Sequence, residues 1–117
     1  MGLAQFENLD SYIGKKLVVA CRYAKDLKSI AGLQLPQEAP WAKSIWWLYT
    51  VLVDRKKYGM DSRALMKVFE AQKIQARPFW HPLHSLKAFA GCDAYKIEKS
   101  TAFYRDGLSL PSSIGLS

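Results

Sequence analysis

The sequence predicts an α+β domain, a small and mainly antiparallel sheet with helices packed on one face. Three observations predict it. Apolar residues recur every three or four positions from Leu3 to Leu27, whereas aromatic and β-branched residues crowd Ser44 to Val53. Segments of helical and strand character then alternate: helix, strand, helix, strand, helix, strand. The chain has 117 residues, half of them hydrophobic, with four Trp, six Tyr and five Phe, enough for one core and so for a single domain over 1–117.

Residues 2 to about 28 read as one helix, with Leu3, Phe6, Leu9, Ile13, Leu17, Ala20, Tyr23 and Leu27 on a single stripe. It opens in apolar register, without the Ser, Thr, Asp or Asn that usually caps a helix start. A connection with Pro36 and Pro40 follows over 31–43, then a strand over Ser44 to Val53, read as central. Asp54 to Gly59 is a polar turn. Asp61 and Ser62 cap a second helix whose apolar face is Ala64, Leu65, Val68, Phe69 and Ala71. Lys73 to Arg77 alternates as a second strand that Pro78 ends, and Phe79 to Cys92 is a loop rich in Trp, His and Pro. A third helix is expected from Asp93 to Asp106 with Gly107 as its C-terminal cap, then a short strand over Leu108 to Pro111. Ser117 is a good cap residue with no helix after it.

Several classes are disfavoured. No segment approaches the roughly 20 apolar residues of a membrane span, and no signal-peptide pattern opens the chain, so the cytoplasm is the expected location. Cys21 and Cys92 match no ligand spacing and read as reduced thiols in or near a core. The net charge of +7 could suit an anionic partner, but the basic residues are scattered and Arg55-Lys56-Lys57 is the densest run. Trp46-Trp47-Leu48-Tyr49 could be a base-stacking platform, yet its neighbours are apolar, which favours a buried strand.

Chemistry concentrates in Arg77-Pro-Phe-Trp-His-Pro-Leu-His84. Arginine can grip a phosphate or carboxylate with two parallel hydrogen bonds, and histidine can donate a hydrogen bond or move a proton near neutral pH. Composition alone favours Phe79 and Trp80 packing on the core while Arg77 and the histidines hydrogen-bond locally. His81 and His84 lack an evident third ligand, so a metal site is not expected.

Four segments, in order, resemble the C-terminal portion of the DegT/StrS-type sugar aminotransferases, which depend on pyridoxal phosphate, and within them the perosamine-synthase-like subgroup. They are Gly2-Leu-Ala-Gln-Phe-Glu-Asn-Leu-Asp10, Trp47-Leu-Tyr-Thr-Val-Leu-Val-Asp54, Ile74-Gln-Ala-Arg-Pro-Phe-Trp-His-Pro-Leu-His84 and Gly107-Leu-Ser-Leu-Pro-Ser-Ser-Ile-Gly-Leu116. The resemblance implies the small C-terminal domain of fold-type I enzymes, which closes part of the sugar-nucleotide site. It carries a substrate-side role onto Arg77 and His84, at the Arg-Pro and Pro-x-His positions, and makes Trp80 a pocket wall; it gives His81 none. The family's cofactor lysine, the aspartate partnering the pyridinium and the phosphate-binding residues all lie upstream of this sequence, and the family continues into a further helix. Both ends therefore read as cuts, no cofactor is expected on this chain, and the expectation is a catalytically inactive fragment of an enzyme of 4-amino-4,6-dideoxy sugar-nucleotide synthesis. A free-standing module binding an anionic sugar nucleotide or a protein, and a basic nucleic-acid binder, are the alternatives. The bare stripe of the first helix predicts a homo-oligomer with Leu3, Phe6, Leu9 and Ile13 in the contact.

Overall fold

The computed structural model describes residues 2–116, so Ser117 lies outside the described residues. The expected single first helix is two: α1 (Gly2–Phe6) and α2 (Leu9–Leu27). Asn8 causes the break. Its side-chain Nδ2 donates to the Ala4 carbonyl at 2.9 Å, the acceptor its own amide would use in a continuous helix, and that amide turns to Gln5 O at 3.2 Å instead.

β1 (Leu33–Gln34) lies inside the stretch expected to be a plain connection. Gly32 turns the chain into it at φ +83°, where an added Cβ would stand 2.4 Å from the Tyr58 nitrogen. The aromatic strand is shorter than expected. β2 (Tyr49–Val53) starts only after Trp46, whose φ of 51° ends any extended run before it. The polar turn holds one helical turn, α3 (Arg55–Tyr58), begun by the Asp54 carboxylate, which accepts from Lys56 N at 2.9 Å and Lys57 N at 3.3 Å. α4 (Ser62–Ala71) starts as expected, with Asp61 accepting from Ala64 N at 2.8 Å.

The second expected strand contracts to β3 (Arg77–Pro78). Lys73 adopts φ 59° and the Ile74 amide closes the end of α4 by donating to Phe69 O at 2.8 Å, so these residues do not join the ladder. Pro78 lies within the strand rather than after it; β3 is an edge strand, where a missing N–H removes no ladder bond. After two 3₁₀ turns (Leu83–Ser85 and Lys87–Phe89), α5 (Glu98–Asp106) starts later than expected, because Lys96 takes φ 51° just before it.

β4 (Gly107–Leu110) follows α5 directly and becomes a central strand. The order is β1-β2-β4-β3, antiparallel throughout, with Val51 opposite Leu108 and Arg77 opposite Ser109. Gly107 is therefore not a left-handed cap. Its φ and ψ of −78° and 136° are extended, and glycine is needed because a Cβ would meet the Phe103 carbonyl at 2.3 Å.

Period-two alternation puts Tyr49, Val51 and Val53 on one face of the sheet with Leu108 and Leu110. This face meets α2 through Ala20, Tyr23 and Leu27, and α4 through Leu65, Met66 and Phe69. Burying each large member contributes about 1.5–3 kcal/mol. Val68, expected on the same face, is 47% exposed. On the other face Thr50 and Ser109 join hydroxyls at 2.8 Å across the β2–β4 pair. The buried Ser62 donates to Arg105 O at 2.7 Å and ties α4 to α5. Cys21 and Cys92 are free, as expected, and both are exposed rather than inside the core.

The radius of gyration is 16.4 Å, above the about 13 Å usual for this length. α1 contributes, since it buries no residue.

Candidate functional site

The stretch from Arg77 to His84 begins on edge strand β3 and leaves the sheet at Phe79, whose amide donates to Gly107 O at 3.4 Å and whose ring meets Phe103 edge-on at 6.2 Å. Pro78 and Pro82 stiffen the loop around Trp80. His81 lies against the Tyr104 ring with centroids 4.5 Å apart, and its Nδ1 is 2.8 Å from the Ser85 hydroxyl. Arg63 approaches the same tyrosine: its guanidinium lies 4.8 Å from the ring centroid and donates to Tyr104 O at 3.0 Å. A cation, a phenol ring and an imidazole thus join α4, α5 and the loop. His81, which carries no substrate-side role by resemblance, anchors the loop that bears its neighbours.

The three expected substrate-side residues do not converge on one hollow. Arg77 is exposed, makes no ion pair among the described residues, and edges a depression of about 460 Å³ with Met66, Glu70 and Ile74. Its fork is available for an oxyanion. His84 is half-buried on the other side of the loop and lines a hollow of about 420 Å³ with Pro82, Phe89, Cys92 and Tyr95. Trp80 is 66% exposed and stacks on Trp47, with centroids 6.5 Å apart and planes 27° from parallel.

Sequence reasoning misses Trp47 because it assigns the aromatic run wholly to a buried strand. With the strand starting at Tyr49, the positive φ of Trp46 sends that ring inward, 5.7 Å from Tyr49, while Trp47 is 63% exposed. The Trp47 carbonyl is fixed from two sides: the Lys16 ammonium donates to it at 2.9 Å and the Ser112 hydroxyl at 3.1 Å. Lys16 also donates to the Ser112 carbonyl, so α2, the lead-in to β2 and the segment after β4 share one cation. Adjacent Trp residues ahead of a strand signal are the available clue, since alternation points only one of the two rings inward.

Elsewhere, Arg55, Lys56, Lys57 and Arg105 surround a hollow of about 580 Å³, together with Asp54 and Asp106. Arg105 pairs with Asp106 at 2.6 Å, so the carboxylates offset much of this charge.

The sequence model of the DegT/DnrJ/EryC1/StrS aminotransferase family matches residues 1–117. The chain belongs to that family. Among curated relatives, it is 29% identical over 119 residues to GDP-perosamine synthase of Caulobacter vibrioides, covering 99% of this chain and 31% of the relative. It is 29% identical over 109 residues to dTDP-3-amino-3,4,6-trideoxy-alpha-D-glucose transaminase of Streptomyces venezuelae, covering 89% of this chain and 27% of that protein. The chain thus spans about 30% of the length of the relatives it matches. Among solved structures, S. venezuelae DesV in complex with a ketimine intermediate superposes with a TM-score of 0.84 at 27% identity, over 97% of this chain and 30% of that one. DesI, crystallised with its TDP-sugar product, reaches a TM-score of 0.90 at 19% identity, over 100% of this chain and 30% of the other, which shows the shared fold. The four-stranded sheet and its helices are therefore those of the matching part of fold-type I sugar aminotransferases.

Full-length members of the family use pyridoxal phosphate, a group held through a lysine. Every lysine except Lys16 is exposed, and the Lys16 ammonium is committed to the Trp47 and Ser112 carbonyls.

Proposed function

We propose that this chain is the small-domain part of a sugar-nucleotide aminotransferase of the 4-amino-4,6-dideoxy class, that it contributes the substrate side of the site through Arg77, Trp80 and His84, and that alone it does not transfer amino groups. The observation that carries the reading is the match of 99% of the chain to 31% of GDP-perosamine synthase, within a family match over residues 1–117. Arg77 supplies a fork for the diphosphate, Trp80 a wall, and His84 a hydrogen bond to the sugar. Because Arg77 and His84 line different hollows, the reading requires the rest of the enzyme to draw one substrate across them. A cytoplasmic location goes with it; among the described residues no helix is long and apolar enough to cross a membrane.

Two measurements test this. The purified chain, incubated with pyridoxal phosphate and borohydride, is expected to yield no adduct on a single lysine; a stoichiometric adduct with amino transfer would refute the inactive part of the reading. Calorimetry with a GDP-linked sugar is expected to give weak binding that falls about tenfold or more in Arg77→Ala, the range for a lost charge-assisted hydrogen bond. Absence of heat at millimolar ligand would remove the substrate-side role from this segment.

The reading also includes association between copies through α1 and the start of α2. Supporting it, Leu3, Phe6 and Leu9 are 75%, 70% and 43% exposed, while Ile13 is half-buried. An unpartnered row of large apolar side chains is rare on a monomer.

A further inference from the structure

We propose that Trp47 and Trp80 together form a stacking platform for the nucleobase of the sugar nucleotide, so that this segment binds the base as well as the sugar and diphosphate. This rests on the reading of the chain as part of a sugar-nucleotide aminotransferase and adds to it a residue, Trp47, and a part of the ligand.

Three features support the platform. First, the two tryptophans are 63% and 66% exposed, yet their indoles lie within 27° of parallel. Rings left exposed but mutually aligned suit a further planar π system better than a shape-demanding protein core.

Second, the backbone that carries both rings is held before any ligand arrives. Trp47 is held by the Lys16 and Ser112 bonds to its carbonyl and by the left-handed turn at Trp46. Trp80 sits between Phe79, packed on Phe103, and His81, packed on Tyr104, and has a proline two residues to either side. This reduces the backbone ordering entropy lost on binding.

Third, the charge beside the platform has the right sign. Lys16 brings an ammonium to the Trp47 backbone. Two of its three protons go to carbonyls, which leaves one for an anion next to a stacked base. Nucleobase, diphosphate and sugar would then run from the indole pair toward the Arg77 and His84 loop.

Intrinsic tryptophan fluorescence of the chain tests the platform, titrated in parallel with GDP, dTDP, inorganic pyrophosphate and a simple methyl glycoside. Saturable quenching by the two nucleotides is expected, with apparent affinity at least tenfold above that for pyrophosphate and no response to the glycoside, in keeping with the worth of one base–aromatic stack. Trp47→Leu and Trp80→Leu should each weaken nucleotide binding, measured by calorimetry, about tenfold, while Trp41→Leu, at an 88% exposed ring, leaves it unchanged. Equal affinity for GDP and pyrophosphate, or Trp47→Leu binding GDP like the parent, would overturn the stack. If sugar nucleotides still bind with dependence on Arg77 in those circumstances, the aminotransferase reading survives and the platform alone fails. A spectral change that follows protein concentration rather than ligand would reassign the indole pair to contact between copies, which also overturns the proposal.

Discussion

Replacing Gly107 with alanine separates two explanations of why glycine stands there. As a left-handed helix cap, it would be replaceable by asparagine, and alanine would suffer only from backbone conformation. In the structure its backbone is extended, at φ −78° and ψ 136°, which any residue adopts. On that ground alone alanine would stabilise the chain by about 0.4–1 kcal/mol, by restricting the unfolded state. The obstacle is space: the new Cβ would lie 2.3 Å from Phe103 O and 2.8 Å from Phe79 Cβ. The carbonyl belongs to backbone and accepts the Gly107 amide, so neither can yield without disturbing the junction of α5 and β4. Overpacking costs about 1–3 kcal/mol, and weakening that hydrogen bond adds up to about 1 kcal/mol. Set against the unfolded-state gain, the net loss is about 2 kcal/mol, or roughly 8 °C in Tm for a domain of this size. Urea unfolding followed by tryptophan emission reads the difference, and Gly107→Asn should fare no better than alanine. An alanine variant as stable as the parent, or an asparagine variant clearly better than alanine, would refute the steric account.

Other outcomes concern buried polar groups and bare apolar ones. Burial raises the Tyr49 phenol above its usual value of 10.0, so the stability linked to its neutral form is complete below pH 10 and lost as pH climbs through the raised value. Because the Tyr49 hydroxyl has no hydrogen-bond partner among the described residues, Tyr49→Phe should cost nothing at pH 7 and should extend stability to higher pH; a neutral-pH loss above about 1 kcal/mol would contradict this. Tyr23→Phe, by contrast, loses a 2.8 Å bond to Pro111 O and should cost about 1 kcal/mol in the same titration. Lys16→Met should cost about 1.5–3 kcal/mol, since it leaves the Ser112 carbonyl without its charged donor, and should red-shift tryptophan emission as Trp47 loosens; unchanged stability would count against the cation as a clasp. Leu3→Gln with Phe6→Gln should lower the mass seen by light scattering at high concentration without changing unfolding, because both side chains are exposed; an unaltered mass would exclude this stripe from the contact.

How much of the molecule is legible in its sequence depends on which physical signal each residue carries. Patterns that repeat along the chain read well: the apolar stripe through Ala20, Tyr23 and Leu27, the Asp61 cap, and the β-branched run of β2 all appear in place. Boundaries set by a single residue do not. Asn8 breaks the first helix through its own side chain, Trp46 and Lys96 take positive φ without being glycine or asparagine, and Ile74 spends its amide on α4. None of these leaves a periodic trace. β1 and β3 have only two residues each and exist because a long-range partner is present, so local propensity cannot reveal them. In the site, residue type points to Arg77, Trp80 and His84, but the separation of Arg77 and His84 into different hollows, and the pairing of Trp80 with Trp47, depend on how the loop leaves the sheet.

The placement of β4 between β2 and β3 has a consequence for the nascent chain. Translation delivers β2 some fifty residues before the strand that must sit beside it, and β3 gains its neighbour only with the same late segment. A ribosome paused short of residue 107 would display two unsatisfied strand borders and an uncovered aromatic layer, a species apt to stick to its neighbours. Chaperone demand during synthesis should therefore peak just before the β4 segment emerges.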